Sequence, residues 1–482
     1  MGIYNFHAWL RNKFPEIYIN IKNNNIYDYI YIDINFLLHN AIYDCKTETE
    51  FLKKIYMNLN IIFSNFIATK KIILALDGPS SYAKIVLQRK RRINASTKIN
   101  KNVINSLCIT PGIEFMQNLE TNLKIYLNKT TKQYKYLHPE FELLSSNDPD
   151  EGEIKICKKL IEYGSNNLAY RHLIIGNDSD LIVLSMGMKP IYNINILVKG
   201  KDENQLISLE KLLISHASLL GRSCIMNELS MSNIRDDYVI ISIMMGNDYI
   251  PKLGYTNPEM LWKIYYNIMK NRDETLIENN IFNKQMFALI LFNIYNKLSN
   301  GFKKINSKLY NHTRAQSYLK GLLWCLNMYK TGICSMYDYL YEGHISPHPY
   351  ELLFCILAEY DDIAIPYSET NPIKSSMYPL IVMPMRADYL LKKEYQDLMK
   401  NELKYLYDAE TCIQCDDFRK NLNILLKEKI KMKNNGTSNK EEKELSQQYK
   451  NKLYEYKTHK KKHYNTFNHD DINKIIKYVT EL

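Results

Sequence analysis

The chain has 482 residues, a formal net charge of +11 and 46% hydrophobic residues. This composition excludes an intrinsically disordered protein and leaves room for two or three domains. The excess of basic residues favours a polyanionic partner, although many soluble basic proteins share it. The sequence begins with no signal-peptide run, and no apolar stretch reaches the ~18 residues that span a bilayer, so we expect no membrane partner.

Nine cysteines are scattered along the chain, which is typical of a reducing compartment rather than of a disulfide framework. We therefore expect a cytoplasmic protein, with the nucleus as the alternative. Cys412 and Cys415 have CxxC spacing, but a structural zinc site would need a second cysteine pair or two histidines at ligand spacing, and neither lies nearby. The sequence therefore assigns no role to this pair.

Short apolar runs in the first half of the chain end at or just before an acidic residue. The runs are 29–32 before Asp33, 72–76 before Asp77, 173–175 before Gly176-Asn177-Asp178, and 240–245 before Gly246-Asn247-Asp248. The first three are short and rich in Ile, Leu or Tyr, which predicts buried strands of a parallel sheet. Ligands of open α/β sheets bind beyond the carboxyl ends of the strands, so these acidic residues predict one shared site. A single Asp in such a place is as often a helix cap or turn residue.

Beyond Pro258 the pattern becomes helical. Three segments have helical spacing, namely 260–270, 287–298 and 316–329. They predict a mostly helical region over 257–410. The remainder, 411–482, is rich in lysine, is interrupted at 434–436, and ends in a predicted helix over 470–479.

The acidic candidates form a set of seven, namely Asp33, Asp77, Glu151, Glu153, Asp178, Asp180 and Asp248. Carboxylates that are brought together repel one another and raise one another's pKa values, unless divalent cations neutralise them. Magnesium prefers hard oxygen ligands and keeps several waters. Two such ions about 4 Å apart can activate a water and stabilise the leaving oxygen of a phosphodiester. We therefore predict that the seven residues are both metal ligands and catalytic residues.

Lys84, Gln88, Arg91 and Arg92 have the spacing i, i+4, i+7 and i+8 and follow Asp77 closely in the sequence. On a helix all four side chains lie on one face. Several donors that converge on one point form a phosphate pocket, in which arginine gives forked contacts and lysine a point charge. An exposed basic helix face has the same pattern. Beside the carboxylate set, we favour the phosphate pocket.

Short motifs over about residues 1–256 match, in order and spacing, those of one known family. They are Met1-Gly2-Ile3, Tyr31-Ile32-Asp33-Ile34-Asn35-Phe36-Leu37-Leu38-His39-Asn40, Asp77-Gly78 with Ala83-Lys84, Gln88 and Arg91-Arg92, Thr110-Pro111-Gly112, Asp150-Glu151-Gly152-Glu153, Gly176-Asn177-Asp178-Ser179-Asp180, Asp236-Asp237-Tyr238, and Gly246-Asn247-Asp248-Tyr249-Ile250-Pro251. In these motifs the chain resembles the XRN family of 5′→3′ exoribonucleases. A weaker match continues to about residue 400.

The resemblance implies an α/β fold. Residues 1–256 would form a PIN-like catalytic nuclease core with a mostly parallel twisted sheet. Residues 257–410 would form a mainly helical second region that completes the active-site pocket, and 411–482 a lysine-rich helical tail. The resemblance also implies two Mg²⁺ ions at the seven carboxylates, with Mn²⁺ as an alternative and no further cofactor.

The implied substrate is single-stranded RNA with a 5′-monophosphate, which the enzyme degrades to mononucleotides; protein partners are left open. The family places Lys84, Gln88, Arg91 and Arg92 in the 5′-monophosphate pocket and stacks His39 on the terminal bases. Without the family, a histidine shortly after Asp33 is more often a capping or core residue.

The chain departs from the family at three places. Asp150 stands where the family has the first glycine of its Gly-Glu-Gly-Glu motif, Ile154 replaces the histidine that follows, and 334–339 replaces a tryptophan-rich stretch. Two other functions stay open at this point. One is a structure-specific DNA nuclease like the flap endonucleases, and the other is a catalytically inactive RNA-binding scaffold.

Overall fold

The computed structural model of the protein describes residues 3, 6–21, 25–97, 103–133, 140–199, 204–299, 310–343, 345–358, 363–407, 412–434, 439–462 and 467–480. Met1, Gly2, Asn435 and Gly436, which the sequence analysis names, lie outside these residues. Within the described part, no helix is both long and apolar enough to cross a membrane.

Nine strands lie in the described part of the chain. They are β1 (Tyr18–Asn20), β2 (Asn25–Asp33), β3 (Phe66–Ala75), β4 (Phe141–Leu144), β5 (His172–Ile175), β6 (Ile194–Lys199), β7 (Asn204–Ser208), β8 (Ile277–Glu278) and β9 (Ile281–Phe282). The first seven form one sheet in the order β1-β7-β6-β5-β2-β3-β4, and β8 pairs with β9. The five strands from β4 to β6 are parallel, whereas β7 and β1 are antiparallel at one edge. The predicted strands and the mostly parallel α/β sheet are confirmed.

The helices of the described residues follow in chain order. They are α1 (Phe6–Lys13), α2 (Ile34–Ile42), α3 (Glu48–Asn65), α4 (Tyr82–Ser96), α5 (Glu114–Gln133), α6 (Gly152–Gly164), α7 (Asp180–Gly187), α8 (Leu209–Leu219), α9 (Met226–Met231), α10 (Ile234–Ile243), α11 (Pro258–Met269), α12 (Lys284–Ser299), α13 (His312–Thr331), α14 (Pro349–Ala358), α15 (Tyr378–Val382), α16 (Lys393–Lys400), α17 (Ile413–Asn434), α18 (Asn439–Lys462) and α19 (His469–Thr480). Short 3-10 helices cover Pro15–Ile17, Ser106–Cys108, Met385–Leu390 and Lys404–Leu406. The helices predicted between 260 and 329 and over 470–479 are confirmed, and the apolar run 240–245 lies mostly in α10.

The chain forms two compact units. The first comprises Met1–Leu87 with Asn100–Tyr378, and the second comprises Gln88–Ile99 with Pro379–Leu482. In the first unit one hydrophobic core runs from Ile3 to Ile363, so helices after residue 257 share a core with the sheet. The functional division at 256 and 410 does not coincide with these units and stays a prediction.

The central strands of the sheet are parallel and buried, so their carboxyl ends lie at the same edge of the sheet. Every residue of β5 is buried, as are the last four residues of β2 and of β3. Short connections then lead from β2 into α2, from β3 into α4 and from β5 into α7. The carboxyl ends of parallel strands meet at one edge of a sheet, and polar side chains placed there come together.

Candidate active site

The seven predicted carboxylates lie at or near the carboxyl ends of the parallel strands. Asp33 is the last residue of β2, Asp77 follows β3, Glu151 and Glu153 flank the first residue of α6, Asp178 and Asp180 follow β5, and Asp248 lies in the loop after α10. Six of them follow strands of the parallel sheet in the sequence, and α10 brings the seventh from a distant part of the sequence. The predicted clustering at the sheet edge is thus a feature of the fold.

Gly152 brings the start of α6 against two of these carboxylates. Its backbone N–H donates to Oδ1 of Asp77 at 2.7 Å. A Cβ atom at this position would lie 3.3 Å from Oδ1 of both Asp33 and Asp77, and 3.2 Å from the carbonyl oxygen of Ala75. These contacts are tighter than a side chain normally makes, so a glycine suits this position and lets the two carboxylates approach the helix.

The electrostatics of Asp33 and Glu153 confirm that the carboxylates are close together. Burial raises the pKa of Asp33 well above its usual value, and the neighbouring Asp77 raises it further. Burial likewise raises the pKa of Glu153, with Asp178 and Asp180 adding to the effect. Each ionised group in this cluster disfavours ionisation of the next, because protein and water do not screen buried charges fully.

Asp180 shows what kind of partner the cluster needs. Burial, then Asp178 and Asp248, raise the pKa of its carboxyl group. Its Oδ1 atom is buried and receives no hydrogen bond from the part of the chain that the structure describes. A buried carboxylate oxygen without a donor is costly unless a cation or a proton meets it. A donor set made entirely of carboxylate oxygens fits a hard divalent cation such as Mg²⁺ or Mn²⁺.

Lys84 lies inside the carboxylate cluster. Its Nζ is 2.5 Å from Oε1 of Glu151 and 2.7 Å from Oδ2 of Asp248. Burial lowers the pKa of Lys84, but Glu151 and Asp248 outweigh that effect and hold it well above its usual value. Tyr249 donates its hydroxyl to the other oxygen of Glu151 at 2.6 Å. In this arrangement Lys84 neutralises part of the carboxylate charge, a role that helical spacing alone did not predict.

Lys155 stabilises the backbone beside the site. Its buried ammonium donates to the carbonyl oxygens of Leu76 at 2.9 Å and Ser145 at 2.6 Å, which follow β3 and β4. Burial lowers its pKa to about 8. The lysine therefore links the ends of the two strands beside Asp77, a role that the sequence did not predict.

The segment around Tyr337 caps the first turn of α4. The backbone N–H groups of Tyr82 and Ala83 donate to the carbonyl oxygens of Tyr337 at 2.8 Å and Tyr339 at 3.1 Å. The first N–H groups of a helix have no partner within the helix, so these bonds satisfy them. Tyr339 in turn stacks on Trp324 with ring centroids 4.5 Å apart. The second region thereby holds the turn that carries Lys84.

Two of the departures from the family contact each other. Asp150, in place of the family's glycine, has a left-handed backbone with φ of 77°. Asp and Asn tolerate that conformation better than most residues. Tyr337, in the stretch that replaces the tryptophans, donates its hydroxyl to Oδ2 of Asp150 at 3.1 Å. The Asp150 backbone also pairs with Gly78 and Pro79 at 2.9 Å each.

The remaining predicted substrate residues lie on α4 and α2. Gln88, Arg91 and Arg92 are partly exposed and belong to the second unit, whereas Lys84 belongs to the first. Arg92 donates to the Gln88 side chain at 2.6 Å. His39 is exposed on α2. Their roles in binding a 5′ phosphate or a base stay predictions.

Arg89 lies on another face of α4 and is a residue that the sequence analysis missed. Its buried guanidinium donates to the carbonyl oxygens of Ile381 at 2.8 Å and Leu406 at 2.9 Å, and stacks over the ring of Tyr407. These contacts lie within the second unit. Arg89 therefore packs the second unit together, so the basic character of α4 includes a structural residue.

A second buried acidic cluster lies on α10 in the first unit. Lys189 and Lys330 contact Oδ2 of Asp236 at 2.9 and 3.0 Å. Asp237 accepts hydrogen bonds from the backbone N–H of Leu276 at 2.8 Å and from the hydroxyl of Tyr265 at 3.1 Å. These two aspartates belong to a motif that carried the family resemblance. In the structure, lysine side chains, backbone N–H groups and a tyrosine hydroxyl of the protein itself contact them.

A mostly parallel α/β sheet with buried carboxylates at its carboxyl edge is typical of enzymes that hydrolyse phosphodiesters with divalent cations. Two family models match the chain: the XRN 5′-3′ exonuclease N-terminus over residues 1–199 and the Xrn1 helical domain over residues 293–473. The chain belongs to the XRN family, which confirms the resemblance of its motifs. The second match also agrees with the helical character of the second region.

The chain is also similar to curated proteins that are named 5′-3′ exoribonucleases. The chain is 26% identical to 5′-3′ exoribonuclease 1 of Schizosaccharomyces pombe over 65% of this chain and 27% of that protein. It is 28% identical to the Saccharomyces cerevisiae protein of the same name, over 52% of this chain and 19% of that protein. The chain thus spans less than a third of the length of these relatives. Among solved structures, the catalytic core of Rad2 in complex with DNA substrate is 11% identical, covers 79% of this chain and 99% of that chain, and has a TM-score of 0.34.

Proposed function

We propose that the chain is a 5′→3′ exoribonuclease that hydrolyses 5′-monophosphorylated single-stranded RNA to mononucleotides with two Mg²⁺ ions. Family membership supports the reaction, because the relatives named above are 5′-3′ exoribonucleases. The observation that carries the proposal for this chain is the cluster of carboxylates at the carboxyl edge of the sheet. Burial and, after it, the neighbouring carboxylates raise the pKa values of Asp33, Glu153 and Asp180, so a bound cation would stabilise their ionised forms.

In this proposal the seven carboxylates hold the two ions. Bound divalent ions at such a site activate the attacking water and neutralise charge on the leaving oxygen. The ligands are Asp33, Asp77, Glu151, Glu153, Asp178, Asp180 and Asp248, and all of their donors are oxygens. Mn²⁺ would suit the same donor set.

The neighbouring residues position this site. Gly152 holds Asp77 through its backbone N–H, and Tyr249 orients Glu151 through its hydroxyl. Lys84, between Glu151 and Asp248, supplies a cation that can shift from these carboxylates toward a phosphate oxygen of the substrate. Its burial keeps water away from the ammonium and strengthens its pairing with an anion.

Recognition of the 5′ end rests on α4 and on the family resemblance. Gln88, Arg91 and Arg92 are the donors that we assign to the 5′-monophosphate, and His39 is assigned to stacking on the terminal base. A pocket shaped for one dianionic phosphate has little room for a cap or triphosphate. A 5′-hydroxyl end would lose the charge-assisted contacts to these donors, and sites built for such contacts discriminate strongly against ligands that cannot make them.

An assay of RNA ends tests the proposal. Single-stranded RNAs that differ only in a 5′-monophosphate, hydroxyl, triphosphate or cap are compared with a DNA flap substrate. We expect degradation of the monophosphorylated RNA to mononucleotides and resistance of the others. Arg91→Ala with Arg92→Ala should lower the rate on monophosphorylated RNA by about 10²-fold or more, since charge-assisted contacts contribute about 1.5–3 kcal/mol each.

Lys90→Ala is the matched control, because Lys90 is an exposed cation on the same helix. Its rate on monophosphorylated RNA should stay near that of the unmodified protein. Equal degradation of all four RNA ends would refute the pocket. Preferential cutting at the junction of the DNA flap would move the assignment to a structure-specific DNA nuclease, and binding without hydrolysis would indicate an inactive scaffold.

A further inference from the structure

Two cysteines and a histidine meet at one end of the pair of helices α17 and α18. Cys412 directly precedes α17, Cys415 lies in its first turn, and His459 lies in the last turn of α18. Ligand atoms of the three side chains all lie within 4.8 Å of one another. Cys412 Sγ and His459 Nε2 are 3.3 Å apart. This cluster belongs to the second unit, is separate from the carboxylates, and is independent of the function proposed above.

Local packing holds the histidine in place. Phe418, one turn after Cys415, lies 5.7 Å from the His459 ring and 5.9 Å from the Tyr456 ring, measured between centroids. The ammonium of Lys452 lies over the Phe418 ring, 5.2 Å from its centroid. Cys415 is buried, and Cys412 and His459 are partly buried. Packing between the two helices therefore holds the three ligand groups close together.

The geometry fits tetrahedral zinc. Zn–S bonds of about 2.3 Å and Zn–N bonds of about 2.0–2.1 Å at tetrahedral angles place sulfur and nitrogen ligands about 3.6 Å apart and two sulfurs about 3.8 Å apart. The distance of 3.3 Å between Cys412 Sγ and His459 Nε2 is a few tenths of an ångström shorter than the sulfur–nitrogen value. The other pairs, which lie within 4.8 Å, differ from these values by at most about 1 Å. Thiolate and imidazole are soft or borderline donors, which select zinc over magnesium.

We propose that Cys412, Cys415 and His459 bind a structural zinc ion that joins the start of α17 to the end of α18. The sequence assigned no role to the CxxC pair, because the histidine lies 47 positions from Cys412 and reaches it only through helix packing. The described residues provide three of the four ligands of tetrahedral zinc, and a water molecule would complete the site.

A disulfide between the two cysteines is the competing reading of a CxxC motif. All nine cysteines lie in the described part of the chain, and the structure forms no disulfide among them. Zinc and a disulfide exclude each other at this pair, because the metal binds thiolates. The oxidation state of the thiols therefore belongs to the test.

The test measures metal bound to the full chain. The protein is purified in buffer that contains Mg²⁺ but no added zinc, and zinc is quantified by mass spectrometry. We expect about one zinc per chain, as in a structural site. Cys412→Ser with Cys415→Ser should reduce zinc to background, and so should His459→Asn. Cys224→Ser and His312→Asn, at an exposed cysteine and an exposed histidine of the first unit, are matched controls that should keep the zinc.

Cobalt substitution identifies the ligands directly. Co²⁺ in a tetrahedral thiolate site gives strong visible and charge-transfer absorption, whereas Co²⁺ among carboxylates absorbs weakly. We expect the strong bands in the unmodified protein and in Asp180→Asn, and their loss in His459→Asn. Circular dichroism of each variant establishes that the helices remain. Background zinc in the unmodified protein, equal zinc in every variant, or a disulfide between Cys412 and Cys415 in the purified protein would each overturn the proposal.

Discussion

The first unit contains two buried acidic clusters, and they differ in whether lysine side chains of the protein neutralise their negative charge. On α10, Asp236 is 1% exposed and meets the ammonium groups of Lys189 and Lys330. At the sheet edge, Asp180 is also buried, but there Asp178 and Asp248 each raise the pKa of its carboxyl group more than Lys84 lowers it. The same residue type at the same depth is therefore balanced by the protein in one place and left with excess negative charge in the other.

This difference separates a structural acid from a functional one. A buried charge that is paired by its own protein stabilises the fold only if the pairing offsets the loss of hydration. A cluster of like charges without enough counter-ions is destabilising until a ligand supplies them. Oδ1 of Asp236 also lacks a hydrogen bond in the described part of the chain, but its Oδ2 meets two lysines. To separate a functional acidic residue from a structural one, the balance of nearby charges is thus a better criterion than a single oxygen atom without a hydrogen bond.

Removing one charge from each cluster should have opposite effects on RNA hydrolysis and on stability, and these are the largest effects that we expect. Asp180→Asn should lower RNA hydrolysis by about 10²-fold or more through loss of a metal ligand, without lowering stability in Mg²⁺-free buffer. Asp236→Asn keeps the shape but leaves two lysines without their counter-ion. It should lower the free energy of unfolding by about 3–5 kcal/mol while preserving turnover per folded molecule.

Hydrolysis assays and denaturant unfolding of both variants check this pair. If Asp180→Asn destabilised the metal-free protein as much as Asp236→Asn, the two clusters would be alike and the comparison would fail. Near-normal turnover of Asp180→Asn in Mg²⁺ would remove it from the set of ligands.

Lys84→Met tests how much of the sheet-edge charge the protein balances by itself. The change removes the ammonium between Glu151 and Asp248, so stability in Mg²⁺-free buffer should fall by about 3 kcal/mol. Mg²⁺ should then bind more tightly, because a positive charge has been removed from its site. Thermal unfolding at increasing Mg²⁺ checks this, and weaker stabilisation of the variant than of the unmodified protein would contradict it. Lys330→Met is the control, which should lose stability without any change in the Mg²⁺ response.

The smallest effect concerns Asp150, which is next to Glu151 in sequence but has its own hydrogen-bond donor. Tyr337→Phe should cost about 1 kcal/mol of stability, and Asp150→Asn a similar amount. The double variant should cost less than the sum of the two, since they share one interaction. Denaturant unfolding measures the coupling, and RNA hydrolysis should change little. Strict additivity would mean that the Tyr337 hydroxyl contributes nothing to Asp150.

Local patterns account for the parts of the fold and site that were predictable. An apolar run that ends in an acidic residue predicts both a buried strand and the place of the carboxylate, as for Asp33 and Asp77. Parallel strands then gather those carboxylates without any further information from the sequence. The same kind of run also precedes Asp248, but there most of the run lies in helix α10, so a helix and not a strand positions this carboxylate.

Contacts between distant residues were beyond the reach of such patterns. Lys84 and Asp248 are 164 positions apart, and Asp150 and Tyr337 are 187 apart. No periodicity relates residues at these separations, because tertiary packing decides which of them meet. The spacing on α4 predicted a common face for Lys84, but not that two carboxylates would hold its ammonium.

The left-handed backbone at Asp150 has a consequence for recognising sequences of this kind. Glycine adopts such a backbone freely, and Asp and Asn adopt it at less cost than most other residues. A search pattern that demands the glycine of the resembled motif would reject this chain, whereas a pattern that accepts Gly, Asp or Asn there would retain it.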